Sequence, residues 1–158
     1  MKALFPFFAL ICLWSSTLYS QSSMEGKNVL IVYGGWKRHQ PEVFAKKIAS
    51  WLENQKANVT LSESTASYTD NELMQSLDLV IQHITMSEMS NRESKGLRDA
   101  IARGVGLAGC HGGLGDSFRN DTEYQYMVGG QFVKHPGGQI DYEVTISNST
   151  DPITAGIN

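Results

Sequence analysis

The feature that most constrains the fold is an alternation of short apolar runs with amphipathic, helix-like segments. The first run, NVLIVY at residues 28–33, is typical of a strand buried on both faces of a sheet. Similar short segments follow at residues 58–61, 79–81 and 105–108. Strands that alternate with helices predict an α/β domain, a doubly wound and mostly parallel sheet between two layers of helices.

The helices are predicted from periodicity and from capping residues. Pro41 suits the first turn of a helix whose apolar face carries Phe44, Ile48, Trp51 and Leu52. Two capping boxes then predict helix starts, and the chain closes with a helical stretch over residues 121–128 and a half-buried fifth strand. The boxes pair Thr69 with Glu72 and Ser90 with Glu93. The apolar residues of the two helices behind them are Leu73, Met74, Leu77, Leu97 and Ile101. The apolar residues of the fifth strand are Tyr142, Val144 and Ile146.

Residues 1–22 have the layout of a secretory signal peptide. Lys2 precedes an apolar run over residues 3–14, and small and polar residues follow up to Ser22. The apolar run is too short to span a membrane comfortably, and an uncleaved anchor is the alternative. We therefore predict a periplasmic or secreted protein, without membrane attachment after cleavage, that has one domain over residues 23–158.

Charge and cysteine content narrow the classes of function. The chain has a formal net charge of -3 and no basic run, so a nucleic-acid partner is not expected. Of its two cysteines, Cys12 lies in the predicted signal peptide, which leaves Cys110 and no internal disulfide. The sequence is compatible with a homo-oligomer.

All four histidines lie near the ends of predicted strands. His39 follows the first strand, His83 ends the third, His111 follows the fourth and His135 lies in a loop before the fifth. Parallel sheets bind ligands at the carboxyl ends of their strands, so these side chains are expected near one cleft. We assign function to His111 and His135, leave His39 open and interpret His83 as an ordinary loop histidine. A divalent metal is compatible with histidine ligands, although no HExxH or similar close pair is present.

The stretch GCHGG has glycines two residues before and two residues after His111. This is the spacing of a nucleophile elbow, G-x-Nuc-x-G, in which a tight strand-to-helix turn displays the central side chain. The spacing therefore places His111 on the displayed position. Cys110 is predicted to face the core as a small hydrophobe, and a thiolate nucleophile is the alternative.

The segment after the elbow is rich in glycine, aromatic and polar residues, which suits the apolar face and the hydroxyls of a sugar ring. Asp116 could orient a histidine or bind a hydroxyl, and we group it with His111 and His135 as catalytic candidates. Candidates for binding the substrate are Trp36, His39, Gly112, Gly113, Arg119 and Tyr124, and the two glycines would act through backbone N–H groups.

The order AGCHGG, DSFR, YQYMVGGQFVKHPGG and DPITAGI resembles the trehalose-utilisation (ThuA-like) family over residues 27–158. The resemblance implies a flavodoxin-like fold, similar to that of class I glutamine amidotransferases. Those enzymes carry a nucleophilic cysteine where the family has a histidine, and His111 matches that histidine. Glutamine amidotransferase activity is therefore not expected. Asp151 stands where the family often has histidine, and the family's following acidic segment has no counterpart here, so the domain is expected to be incomplete at its C-terminus.

What the resemblance implies about function is carbohydrate metabolism, with links to disaccharide use and 3-keto-sugar pathways. The first hypothesis is a periplasmic or secreted enzyme that acts on a sugar, disaccharide or keto-glycoside through histidine acid–base or metal chemistry. The second is a non-catalytic module that binds a small carbohydrate. The third is an amidase-like hydrolase that depends on Cys110.

Overall fold

A four-stranded, all-parallel sheet organises the chain. The computed structural model describes residues 24–138 and 140–157, so the predicted signal peptide at residues 1–22 lies outside the described residues. The strands follow the order β2-β1-β3-β4. Their bounds are Asn28–Gly35 (β1), Asn58–Ser62 (β2), Leu79–Thr85 (β3) and Gly106–Gly109 (β4).

Helices cover both faces of this sheet. One face packs on α1 (Pro41–Asn54). The other packs on α2 (Asn71–Ser76), α3 (Asn91–Ala102) and α5 (Thr122–Val128), and the short α4 (Gly112–Gly115) follows β4. Three layers with a parallel sheet in this strand order make a flavodoxin-like α/β fold, as predicted.

The apolar run of β1 is buried on both faces because alternate side chains enter the two cores. Leu30 and Val32 join the cluster that includes α3, whereas Val29 and Ile31 join the cluster under α1. All four are at most 1% exposed. Burying each side chain contributes about 1.5–3 kcal/mol, which explains why this strand lies in the middle of the sheet.

One capping box is confirmed and the other is wrong. Ser90 accepts a hydrogen bond from the N–H of Glu93, and the Glu93 carboxylate accepts one from the Ser90 N–H, at the start of α3. At α2 the cap is Asp70, which accepts a hydrogen bond from the Leu73 N–H. Thr69 instead donates to the Ala66 carbonyl, because it lies in the preceding 3-10 turn.

The predicted apolar face of α1 is displaced by part of a turn. Its buried residues are Ala45, Ala49 and Leu52, and Trp51 is 57% exposed. At 100° per residue, Trp51 points away from the line through those three side chains. The small alanines, rather than the tryptophan, let the helix approach the sheet.

The predicted fifth strand is wrong. Tyr142 and Val144 are about four-fifths exposed, and the residues described between 140 and 147 form no strand. Alternation of apolar and polar residues predicts which face a strand would bury, but a strand also needs a backbone partner. In the described chain no backbone hydrogen bond joins this segment to β4.

The sheet order creates a switch point between β1 and β3. From β1 the chain moves outward to β2, and it then returns to the other side of β1 to form β3. Connections therefore leave the carboxyl ends of these neighbouring strands in opposite directions, which opens a crevice there. In the part of the chain that the structure describes, no helix is long and apolar enough to cross a membrane.

Candidate functional site

A cleft of about 430 Å³ lies at the carboxyl edge of the sheet, beside the switch point. Seven of the nine residues proposed for the site from sequence line it. They are Trp36, His39, His111, Gly112, Asp116, Arg119 and His135, and the structure adds Met86 and Phe132.

Two histidines from different loops meet in this cleft. His39 ends a 3-10 turn after β1, and His111 follows β4. Their ring centroids are 4.9 Å apart and the rings are close to perpendicular. Trp36 packs edge-on against His39 from the other side, at 4.6 Å. The topology therefore brings together side chains that are 72 residues apart in the sequence.

His111 occupies the displayed position of the elbow. Its φ of 51° and ψ of −142° are unusual for a residue with a side chain, and strain of this kind is typical of functional turns. The lack of room around the turn explains why glycines are found at residues 109 and 113. A Cβ on Gly109 would lie 2.6 Å from the Gln82 carbonyl oxygen, and a Cβ on Gly113 would run into the ring of His83. Both glycines are therefore required for the close approach of the turn to β3.

A buried polar network supports the elbow from below. The Gln82 amide donates to the hydroxyls of Ser117 (3.0 Å) and Tyr124 (2.5 Å), and its oxygen accepts from Tyr68 (2.9 Å). Ser117 and Tyr124 donate in turn to the carbonyls of Gly113 and Leu114 in α4. Burial raises the pKa of Tyr124 to about 12, so this hydroxyl stays protonated and remains a donor.

Two of the predicted substrate-binding residues lie beneath the cleft rather than on its surface. Tyr124 is 1% exposed and belongs to the network below α4, and Gly113 is buried against His83. In the described chain neither contributes to the lining of the cleft. Their observed role is to support the elbow.

His83 is not the loop histidine that we inferred from sequence. It lies within β3, is 5% exposed and stacks on Phe44 with ring centroids 4.1 Å apart. Its Nε2 lies 3.4 Å from the carbonyl oxygen of His39, and its buried Nδ1 has no hydrogen-bond partner in the described chain. Burial lowers the pKa of His83, and the hydrogen bond to the His39 carbonyl offsets this lowering in part. His83 is therefore a neutral support beneath the cleft.

Asp116 and Arg119 form an ion pair at the edge of the cleft. Arg119 Nε lies 2.5 Å from Oδ1 of Asp116, and a second guanidinium nitrogen lies 2.9 Å from Oδ2. This pair raises the pKa of Arg119. Because both carboxylate oxygens are engaged, Asp116 positions Arg119 in the structure and makes no hydrogen bond to a histidine in the described chain.

Cys110 does not face the core as predicted. The residue is exposed, and it does not belong to the lining of the cleft in the described chain. The reason is that β4 ends at Gly109, so Cys110 lies beyond its ladder with β3. Within residues 24–138 and 140–157, no group of three or more His, Cys, Asp or Glu side chains could hold a metal ion.

Four residues at or beneath the cleft were not predicted from the sequence: Phe132, Met86, Thr85 and Gln82. Phe132 reaches the cleft because its N–H donates to the Gly115 carbonyl at 2.8 Å, and it lies inside the segment already singled out as rich in aromatics. Thr85 Oγ1 lies 2.9 Å from His39 Nδ1. The sequence offers one signal for Gln82 and Thr85, which is that each is a polar residue directly after an apolar residue of β3.

The fold and the cleft together define a flavodoxin-like α/β protein that carries a histidine, His111, on the turn after β4 beside its switch point. The family model for ThuA, described as trehalose utilisation, matches residues 28–158. The chain therefore belongs to the ThuA family.

Among solved structures, the chain is similar to a ThuA-like protein from Bacteroides uniformis ATCC 8492. The TM-score is 0.52 and the sequence identity 14%, so this likeness bears on the fold. The match covers 71% of this chain and 46% of that chain, which is less than half of the Bacteroides protein. No curated protein matches the chain.

Proposed function

We propose that the protein is a carbohydrate-active enzyme that binds a small sugar, disaccharide or keto-glycoside in this cleft and moves protons with His39 and His111. The observation that carries the proposal is the meeting of these two imidazole rings, 4.9 Å apart, in one cavity at the switch point. An imidazole can take a proton near neutral pH, and a second ring can donate a hydrogen bond to the group that becomes charged in the same step.

The other residues of the cleft suit an uncharged, hydroxylated ligand. Trp36 and Phe132 offer aromatic surface for the apolar side of a sugar ring. Arg119 and His135 offer polar groups for hydroxyls, and the charge of Arg119 is already matched by Asp116. The cavity volume falls within the range of about 300–1,000 Å³ that is usual for small-molecule sites.

We also propose that the protein acts in the periplasm or outside the cell. The support is the signal-peptide pattern of residues 1–22, with Lys2 before an apolar run. Mass spectrometry of the protein from periplasmic and extracellular fractions tests this directly. We expect an N-terminus near Gln21 or Ser23, and an intact N-terminus in the cytoplasmic fraction alone would contradict it.

A panel of purified disaccharides and their 3-keto derivatives tests the enzymatic proposal. We expect conversion of at least one sugar by the wild-type protein and a fall of about 10²–10⁴-fold in His111→Ala, the range for loss of an acid–base group. Cys110→Ser is the matched control, because it changes the neighbouring exposed residue and should keep the wild-type rate.

The same experiment separates the other two hypotheses. Tight binding of a sugar without conversion, measured by calorimetry over a long incubation, would replace the enzyme by a binding module. Loss of activity in Cys110→Ser, with labelling of the thiol by an alkylating reagent, would favour the cysteine-dependent hydrolase. Full activity of His111→Ala would contradict the role of the elbow histidine.

A further inference from the structure

Thr85 lies where the elbow and the loop after β1 approach each other. It is the last residue of β3 and is 1% exposed. Its hydroxyl oxygen is 2.9 Å from Nδ1 of His39, and its carbonyl accepts the N–H of Trp36 at 3.0 Å. Thr85 therefore contacts both aromatic residues of the loop that forms one side of the cleft.

The burial of Thr85 decides the direction of the hydrogen bond to His39. A buried hydroxyl that donates to nothing costs about 1–3 kcal/mol. In the described chain, His39 Nδ1 is the hydrogen-bond partner of this hydroxyl. The Thr85 O–H therefore donates, and Nδ1 accepts with its lone pair. In a neutral imidazole the proton then lies on Nε2.

We propose that Thr85 is a positioning residue that holds neutral His39 as the Nε2–H tautomer, so that His39 is the hydrogen-bond donor to the ligand through Nε2 and His111 is the proton acceptor of the pair. The assignment of donor and acceptor rests on the proposed function. The tautomer itself rests on Thr85 alone and is a property of the protein without ligand.

Two further contacts hold His39 in place, one at its ring and one at its backbone. A Cβ on Gly112 would lie 2.9 Å from Cε1 of His39 and 3.1 Å from the methyl carbon of Thr85, so the elbow backbone packs directly on both. The carbonyl of His39 can only accept, so Nε2 of His83 donates to it. His39 is thus held at its ring by Thr85 and at its backbone by His83.

Nitrogen NMR of the ligand-free protein with ¹⁵N-labelled histidine tests the proposal. Two-bond N–H correlation spectra, recorded well above the ordinary histidine pKa, report which ring nitrogen carries the proton. The His39 signals are assigned by their loss in His39→Ala. We expect Nε2–H in the wild type and in Thr85→Ser, which keeps the hydroxyl. Thr85→Val has the same shape without it, and should lose the single tautomer.

Thr60→Val is the matched control, because Thr60 is an exposed residue of β2, and it should leave the His39 spectrum unchanged. With a converted sugar in hand, Thr85→Val should lower kcat about tenfold with little change in KM, and Thr85→Ser should restore it.

An Nδ1–H tautomer in the wild type would overturn the proposal. This measurement on the wild-type protein does not depend on the folding of any Thr85 variant. A wild-type spectrum for His39 in folded Thr85→Val would also overturn it. Failure of the proposed function looks different. In that case no sugar is converted, although His39 still carries its proton on Nε2.

Discussion

The two sides of the cleft hold their histidines in different ways. The elbow wall, residues 109–115, presents His111 above a buried network whose centre is Gln82. The loop wall, residues 36–40, presents His39 from an exposed 3-10 turn, which is held by two hydrogen bonds to Thr85 and one to His83. Substitutions that disturb the elbow wall should therefore lower the stability of the whole domain, whereas substitutions in the loop wall should change only the local geometry around His39. Substitutions should separate the two.

The largest effect on stability is expected at Gly113, in the elbow wall. A Cβ there would meet the side chain and the backbone of His83, so Gly113→Ala should lower the free energy of unfolding by about 3 kcal/mol. Gly115→Ala is the control, because nothing lies within 4 Å of its Cβ position. It should stay within about 1 kcal/mol of the wild type in urea unfolding. Equal effects of the two substitutions would contradict a tightly packed elbow.

The next effect is expected at Gln82, the centre of the network. Gln82→Met keeps the side-chain length but removes the acceptor of the buried Tyr68 hydroxyl, which should cost about 2 kcal/mol. A double-mutant cycle sharpens the test. Tyr68→Phe should be destabilising in the wild type and close to neutral in Gln82→Met, since no partner is then left unsatisfied. Additive costs would show that the two side chains are not coupled.

A smaller effect is expected from the pH dependence of His83. Burial lowers its folded-state pKa below the ordinary value of 6.5, so the unfolded chain binds more protons below that pH. The stability due to neutral His83 is complete above pH 6.5 and is lost as the pH falls toward the folded-state pKa.

Denaturant unfolding across this pH range measures that loss. His83→Phe keeps the stacking on Phe44 without titrating, and should remove this part of the pH dependence. His135→Gln, at an exposed position, should keep it. The same pH dependence in the wild type and His83→Phe would show that His83 is not the group responsible.

The smallest effect on stability is expected in the loop wall. Trp36 is 42% exposed, so Trp36→Ala should change the free energy of unfolding by less than about 0.5 kcal/mol. It should nevertheless weaken sugar binding by roughly 3–10-fold, because aromatic contact with the ligand is lost. Trp51→Ala removes an exposed tryptophan from α1, away from the cleft, and should leave affinity unchanged in calorimetry. An unchanged affinity in Trp36→Ala would remove this residue from the site.

The sequence predicted the fold and most of the cleft because both follow from periodic or local patterns. The run at residues 28–33 identified the central strand, and the glycine spacing identified His111 on the elbow. The rule that ligands bind at the carboxyl ends of parallel strands was enough to bring His39 and His111 to one place.

The features that the sequence did not predict depend on contacts with residues that are distant in the sequence. Cys110 was assigned to the core, but β4 ends at Gly109, and the end of a strand depends on its pairing with a neighbouring strand. Tyr124 and His83 have side chains that suit a ligand site, yet they serve beneath it. Thr85 carries no motif, since its role depends on a hydrogen bond to a residue 46 positions away.

The central claim is that His39 and His111 act as one functional unit across the two walls. The rate of sugar conversion in His39→Ala, His111→Ala and the double variant tests it most directly. We expect each single substitution to lower the rate at least about 100-fold, and the double variant to be about as slow as the slower single variant, because groups that act as a unit are not additive. A wild-type rate in either single variant, or losses that multiply independently in the double variant, would contradict the claim.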